Sequence, residues 1–367
     1  MTGPFADRKV VVAVGTGGVG KTTVSAALAI AAAASGRRTL VMTIDPARRL
    51  AHALGVADHG NVEREIEPER LRAAGIVLQA PLWVMAPDVK RTFDEIVARA
   101  PLSEEKRQQV FNNRIYQHFS SALAGSHEYA AVQKLYEVYK SGRYDLIVLD
   151  TPPAQNAADF LDAPGRVLDF LENETLQWLL RPYVGNGLPF KVLDIGSSFF
   201  WRTLGGMAGG DTLRELAEFI LSFRGMYDGF RERSRQVSEL LASDALAFVL
   251  VTTTSLMQQR AMWHFKEELR AQGLAVRAVI VNRVRAMPAW DQQAAGRAGA
   301  LLSRLDPEVA AEVERAAREE WVLAEADLRA VRELEARLGG VPVTLIHERP
   351  TDVHDLFGLA NVASTFL

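Results

Sequence analysis

Glycines at 15, 17, 18 and 20 lead into Lys21, Thr22 and Thr23, so side chains vanish just before a cation and two hydroxyls arrive. The spacing from Gly15 to Thr22 is G-x-x-x-x-G-K-T. Backbone without Cβ atoms can wrap a polyphosphate closely, with its N–H groups turned inward. A lysine at this spacing reaches the outer phosphates, and the threonine after it places its hydroxyl on Mg²⁺. Gly17, Gly18, Val19, Gly20, Lys21, Thr22 and Thr23 are therefore the candidate nucleotide-binding residues, with Lys21 also a candidate catalytic group. Two aspartates complete the chemistry. Asp150 ends the apolar run from Leu146 and is followed by Thr-Pro-Pro, the Walker B pattern of a carboxylate that holds the Mg²⁺ shell. Asp45 ends the run before Pro46; it can orient a water onto a γ-phosphate, accept its proton or join Thr22 and Asp150 around the metal. Asp-Pro also opens helices, so an N-cap is a second role open to Asp45.

These groups need elements that converge. Residues 10–14 are apolar without alternation, as in a strand buried on both faces, and residues 24–34 are strong helix formers. The loop thus lies between a strand and a helix, and the helix's positive end would face the phosphates. Further strands are expected from Arg38 to Asp45, over Ile76–Met85 with an interruption at Pro81, from Tyr144 to Asp150, over 245–253, over Val276–Asn282 and over Pro342–Ile346. An acidic residue at the carboxyl end of such a strand faces the ligand crevice of an open α/β sheet. Asp88 to Lys140 reads as helices, with Tyr129, Val132, Tyr136 and Tyr139 at packing distance along one face. Asp306-Pro307 and Gly339-Gly340 bracket one long charged helix, and a last helix begins at Thr351. The expected fold is α/β, a doubly wound, mostly parallel P-loop sheet. The whole chain, 1–367, reads as one domain with helical subdomain insertions at about 88–140 and 165–241.

Composition removes other chemistries. Hydrophobic residues make up 48% and charged residues 24%, and a formal charge of −3 gathers no nucleic acid. Cysteine is absent, which rules out disulfides, thiolate metal sites and a cysteine nucleophile. No stretch reaches the roughly 20 apolar residues of a membrane span, and Met1 to Lys9 has no apolar core. The expectation is a cytoplasmic protein, compatible with peripheral contact at the inner membrane.

The runs Gly-Gly-Val-Gly-Lys-Thr-Thr at 17–23, Thr-Ile-Asp-Pro-Ala at 43–47 and Asp-Thr-Pro-Pro-Ala-Gln-Asn-Ala-Ala-Asp-Phe-Leu at 150–161 resemble the ArsA and guided-entry ATPase family. The resemblance implies Mg-ATP hydrolysis by a nucleotide-dependent dimer that carries hydrophobic tail-anchored membrane proteins or drives an arsenite pump. It implies that Asp45 activates water, that Asp150 opens a γ-phosphate-sensing switch through Asn156, that Asn282 recognises adenine and that Arg349, in His347-Glu-Arg-Pro350, lines the base. Asn282 is followed by Arg-Val-Arg, not by the Lys-x-Asp that reads guanine, so ATP is expected over GTP.

The sequence departs from the family at the signature lysine, which is Thr16 here, and at the expected switch asparagine, which is Arg49. The family's arsenite and zinc cysteines are missing too. The expected assembly is a homodimer or a heteromer with a paralogue that keeps the lysine. From Gly165 to Leu241 the chain is helical with glycine interruptions, where the family places its client-binding helices. Phe199, Phe200, Trp201, Leu216, Ile220, Phe223 and Phe230 are the candidate client-binding face; burial within a helical subdomain would use the same residues. The competing function is a positioning switch of the MinD/ParA kind, which a basic amphipathic C-terminal helix would favour; Asp352 to Leu367 has no Lys or Arg. A subunit that only binds nucleotide is the third reading.

Overall fold

The computed structural model describes residues 5, 7–44, 50, 53–54, 61–122, 126–151, 227–287, 298–353 and 355–367. In chain order the elements are β1 (Val10–Val14), α1 (Lys21–Ala34), β2 (Thr39–Thr43), β3 (Arg64–Glu65), α2 (Pro68–Ala73), β4 (Leu82–Met85), α3 (Val89–Arg99), α4 (Glu104–Asn112), α5 (Arg114–Ala122), α6 (Ser126–Ser141) and β5 (Leu146–Asp150). Then come α7 (Tyr227–Ala242), β6 (Leu246–Thr252), α8 (Leu256–Ala271), β7 (Val276–Val284), α9 (Pro307–Leu338), β8 (Val343–His347) and α10 (Leu356–Ala363).

The eight strands form one sheet in the order β3-β4-β2-β5-β1-β6-β7-β8. Every pairing is parallel except β3 with β4. β1 lies between β5 and β6, so the strand that feeds the glycine loop is central. Its continuous apolar run has a direct cause: Val11 and Ala13 face one core, and Val10, Val12 and Val14 face the other. The first core packs α1 and α10 against the sheet; the second packs α6, α7, α8 and the C-terminal end of α9. In α1 every residue from Val24 to Ala34 is buried, and its alanines let the backbone lie close to the sheet and α10.

Some boundaries move for local reasons. α1 begins at Lys21, three residues before the predicted apolar run, because Gly20 in a left-handed conformation already opens the helix. The strand expected over Ile76–Met85 shortens to β4, since the chain first joins β2 at Pro81, whose carbonyl accepts the Thr39 N–H at 3.1 Å. The last helix starts at Leu356 instead of Thr351, where Asp355 Oδ1 accepts the Gly358 N–H at 2.8 Å. The long helix keeps its predicted ends: Asp306 caps Glu308 at 2.9 Å, and Gly339 takes φ 64°. Tyr129 and Val132 are buried and Tyr136 and Tyr139 half-buried, so that stripe is packing.

Candidate nucleotide site

Gly15 leaves β1 so tightly against β6 that a Cβ there would lie 2.3 Å from the Val251 carbonyl oxygen. Gly20 closes the loop at φ 93°, and a Cβ there would lie 2.2 Å from Asn282 Nδ2. Between them Lys21, only 6% exposed, turns its ammonium back over the loop to the carbonyls of Gly15 and Thr16, each at 2.9 Å. The loop therefore curls around its own lysine, the shape that a phosphate chain needs.

Asp150 lies beside it, 1% exposed. Its Oδ2 accepts the Thr22 hydroxyl at 2.9 Å and the Thr43 hydroxyl at 3.1 Å. One carboxylate oxygen thus joins the first turn of α1 to the end of β2. Thr151 locks the other side by donating to the Ala13 carbonyl at 2.7 Å. The donor set, a hydroxyl and a carboxylate in contact, suits Mg²⁺, which takes few protein oxygens and completes its shell with phosphates and water. No group of three or more His, Cys, Asp or Glu able to hold a metal occurs among the described residues. Thr22 and Asp150 are the residues that would hold the ion.

Asp45 lies outside the described residues, but the chain enters it from a fixed place: Thr43 is in register with Asp150, and the Ile44 N–H donates to the Asp150 carbonyl at 3.1 Å. Asn282 sits behind the loop. Its Nδ2 donates to the Val19 carbonyl at 2.8 Å, and its Oδ1 accepts the Arg283 N–H at 3.0 Å, with Arg283 at φ 57°. Arg349 stands three strands from β1, beyond β8, where it donates to the Asn361 carbonyl at 3.0 Å; His347 is hydrogen-bonded to the Val284 carbonyl. Phe199, Phe200, Trp201, Leu216, Ile220 and Phe223 lie outside the described residues, as does the turn from Pro152 to Asn156. Phe230 falls on α7.

Sequence reading missed two contributors. Thr43 left a faint signal, a polar residue closing an apolar strand. Gln258, near the start of α8, left none; its side-chain oxygen receives the Thr16 hydroxyl across 242 positions of sequence. No described helix is long and apolar enough to cross a membrane.

A glycine loop running from the central strand into a helix, with a strand-terminal carboxylate on that helix's first hydroxyl, defines a P-loop nucleotide-binding fold. A sequence model of the ArsA ATPase family, the anion-transporting ATPases, matches residues 8–301, and the chain belongs to that family. It is 25% identical over 279 residues to a putative arsenical pump-driving ATPase of Aquifex aeolicus, covering 74% of this chain and 62% of that one. It is 24% identical over 278 residues to the ATPase get3 of Aspergillus terreus, covering 74% and 71%. An uncharacterized Streptomyces coelicolor protein is 32% identical over 151 residues, or 41% of this chain and 35% of its own length. The chain thus spans less than two thirds of the Aquifex protein.

Proposed function

We propose that this protein hydrolyses Mg-ATP, and that the hydrolysis cycle opens and closes a dimer around a hydrophobic client. The observation that carries the chemistry is the contact of Asp150 Oδ2 with Thr22 and Thr43 directly below the glycine loop. Lys21 would exchange its loop carbonyls for phosphate oxygens, and the loop N–H groups would cradle the β-phosphate. Thr22 and Asp150 would hold Mg²⁺, with Asp45 a further proposed ligand, and the ion would supply positive charge to the phosphates. Asp45 would orient a water at the γ-phosphorus and accept its proton; the water's oxygen forms the new P–O bond, the bond to the β–γ bridging oxygen breaks, and ADP leaves. Because Thr43 shares the oxygen that holds Thr22, a change at the metal end is felt at the entry to residues 45–49. Asn282 and Arg349 are proposed to face the base, with ATP preferred.

Family membership supports the dimer, and the aromatic run Phe199-Phe200-Trp201 supports an apolar client. An arsenical held by thiolates has no site in a chain without cysteine. Thr16 bonds to Gln258 of its own chain, so the second loop position is engaged inside its own protomer. That contact favours pairing with a lysine-bearing paralogue over a self-sufficient homodimer. The test is ATP turnover by the purified protein. Mg-dependent hydrolysis lost in Lys21→Ala supports the enzyme, and its absence with or without a co-purified paralogue refutes it. In the homomer, Thr16→Lys is expected to raise turnover or ATP-driven dimerisation. A wild-type homomer that already dimerises tightly on ATP and turns over briskly would refute the heteromer.

A further inference from the structure

A second site lies outside the nucleotide machinery. α3, α6 and α7 enclose a cleft of about 350 Å³, at the small end of the roughly 300–1,000 Å³ typical of small-molecule pockets. Its shape is fixed by packing: Phe93 of α3 stacks on Tyr129 of α6 with ring centroids 5.5 Å apart, and α6 and α7 share the second core. Ile96 and Tyr136 supply apolar wall, and Glu95, Arg99, Glu137, Lys140 and Arg233 supply charge.

Both carboxylates are already matched. Glu95 pairs with Lys134 at 3.1 Å, and Glu137 pairs with Arg99 at 2.9 Å and Lys134 at 3.3 Å. Burial raises the Glu137 carboxyl, but its hydrogen bond to Arg99 and the charge of Lys134 outweigh burial and hold it below the usual range. Lys140 and Arg233 also line the cleft and form no ion pair with a described carboxylate, although the Lys140 charge is felt at the Glu232 carboxylate. The Lys140 ammonium rests 5.7 Å from the centre of the Tyr136 ring. Gln133 lines the same cleft; it is 6% exposed, and its amide nitrogen is buried without a hydrogen-bond partner. A buried donor left unmet in the cleft wall is a place where a polar group of a ligand can bond.

We propose that this cleft binds a small amphiphilic anion, a carboxylate or phosphate head between Arg233 and Lys140 on an apolar body against Ile96 and Tyr136. Arginine suits the head because its fork meets two oxygens at once. A further head oxygen would accept the buried Gln133 amide N–H, and the body needs only the apolar wall.

The test uses the full chain saturated with Mg-ADP, so that the glycine loop is filled. Benzoate and phenyl phosphate are titrated at constant ionic strength and followed by saturation-transfer NMR. At least one probe should bind saturably, with transfer to its ring protons, and the tighter one identifies the head group. Arg233→Ala and Lys140→Ala should each weaken binding about tenfold, the scale of one charge-assisted hydrogen bond, without changing ADP affinity or melting temperature. Lys140 is exposed and Arg233 half-buried, and the melting temperature reports whether each variant keeps its fold. Signals that fail to saturate with either probe, or saturable binding that both substitutions leave intact, would overturn the proposal.

Discussion

The two edges of the parallel sheet treat charge in opposite ways. At the starting edge, guanidinium meets carboxylate directly: Arg38 grips Asp145 with Nε at 3.1 Å and Nη2 at 2.9 Å, and Arg277 holds Asp244 at 2.9 Å. Arg37 threads inward to the carbonyls of Phe5 and Asp145. At the finishing edge, Lys21 meets carbonyls and Asp150 meets hydroxyls, although both are almost fully buried. Mutual ion pairing closes the first edge to other partners. The contacts described at the second are with carbonyls and hydroxyls, which ligand oxygens can replace, and that difference separates a clasp from a site.

The comparison breaks most severely if the finishing edge can lose a charge without consequence. Asp45→Asn is expected to keep ATP affinity while turnover falls about 10²-fold or more, because only a transition-state contact is removed. Steady-state kinetics showing wild-type turnover would take Asp45 out of the mechanism. Gly20→Ala comes next. It places a Cβ 2.2 Å from Asn282 Nδ2 and forces a non-glycine residue into φ 93°, so urea unfolding should report a loss of about 1–3 kcal/mol, with weaker nucleotide binding. Asn282→Ala should recover the steric part of that loss but not the backbone part.

Asn282→Ala alone sharpens the site itself. Losing the 2.8 Å bond to the Val19 carbonyl should cost about 1–3 kcal/mol. If Asn282 reads adenine, ATP affinity falls and GTP affinity does not; if it only braces the loop, both fall together. Competition binding with the two nucleotides decides.

The smallest effect belongs to the starting edge. The side-chain hydrogen bond from Arg38, joined by its backbone N–H, pulls the Asp145 carboxyl down to about 2. A depressed carboxylate contributes stability above its unfolded value near 3.9, and that contribution fades as pH falls toward 2. Asp145→Asn should therefore shift the acid-unfolding midpoint slightly upward and leave ATP turnover unchanged. The pair is half exposed, so screening keeps the effect small. A large loss of turnover would mean the two edges are not independent.

What the sequence made legible was whatever is local. The loop and Asp150 were readable because spacing and flanking runs suffice, and α9 because Asp306-Pro307 and Gly339-Gly340 punctuate it. Contacts between distant segments were not readable: Thr16 with Gln258, Asn282 with Val19 and Thr43 with Asp150 join residues 242, 263 and 107 positions apart. The solvation of α9 was hidden too. Val309, Val313 and Trp321 repeat like a buried face, yet they are exposed, and its buried anchors are Ala324, Asp327, Val331, Leu334 and Leu338. A repeat reports that a helix has a side, not whether that side is covered.

The burial of α1 along nearly its whole length means that the phosphate cradle has no softness of its own. A surface loop could open by local fraying, but here Lys21 begins a helix whose next turns lie in the first core. Opening the cradle therefore draws on the global unfolding free energy, and the amide protons of α1 should be among the last to exchange with solvent. The exchange works in reverse as well: nucleotide at 100 times its dissociation constant would add about 2.7 kcal/mol to the stability of the entire fold. Melting curves are then a direct gauge of cradle occupancy.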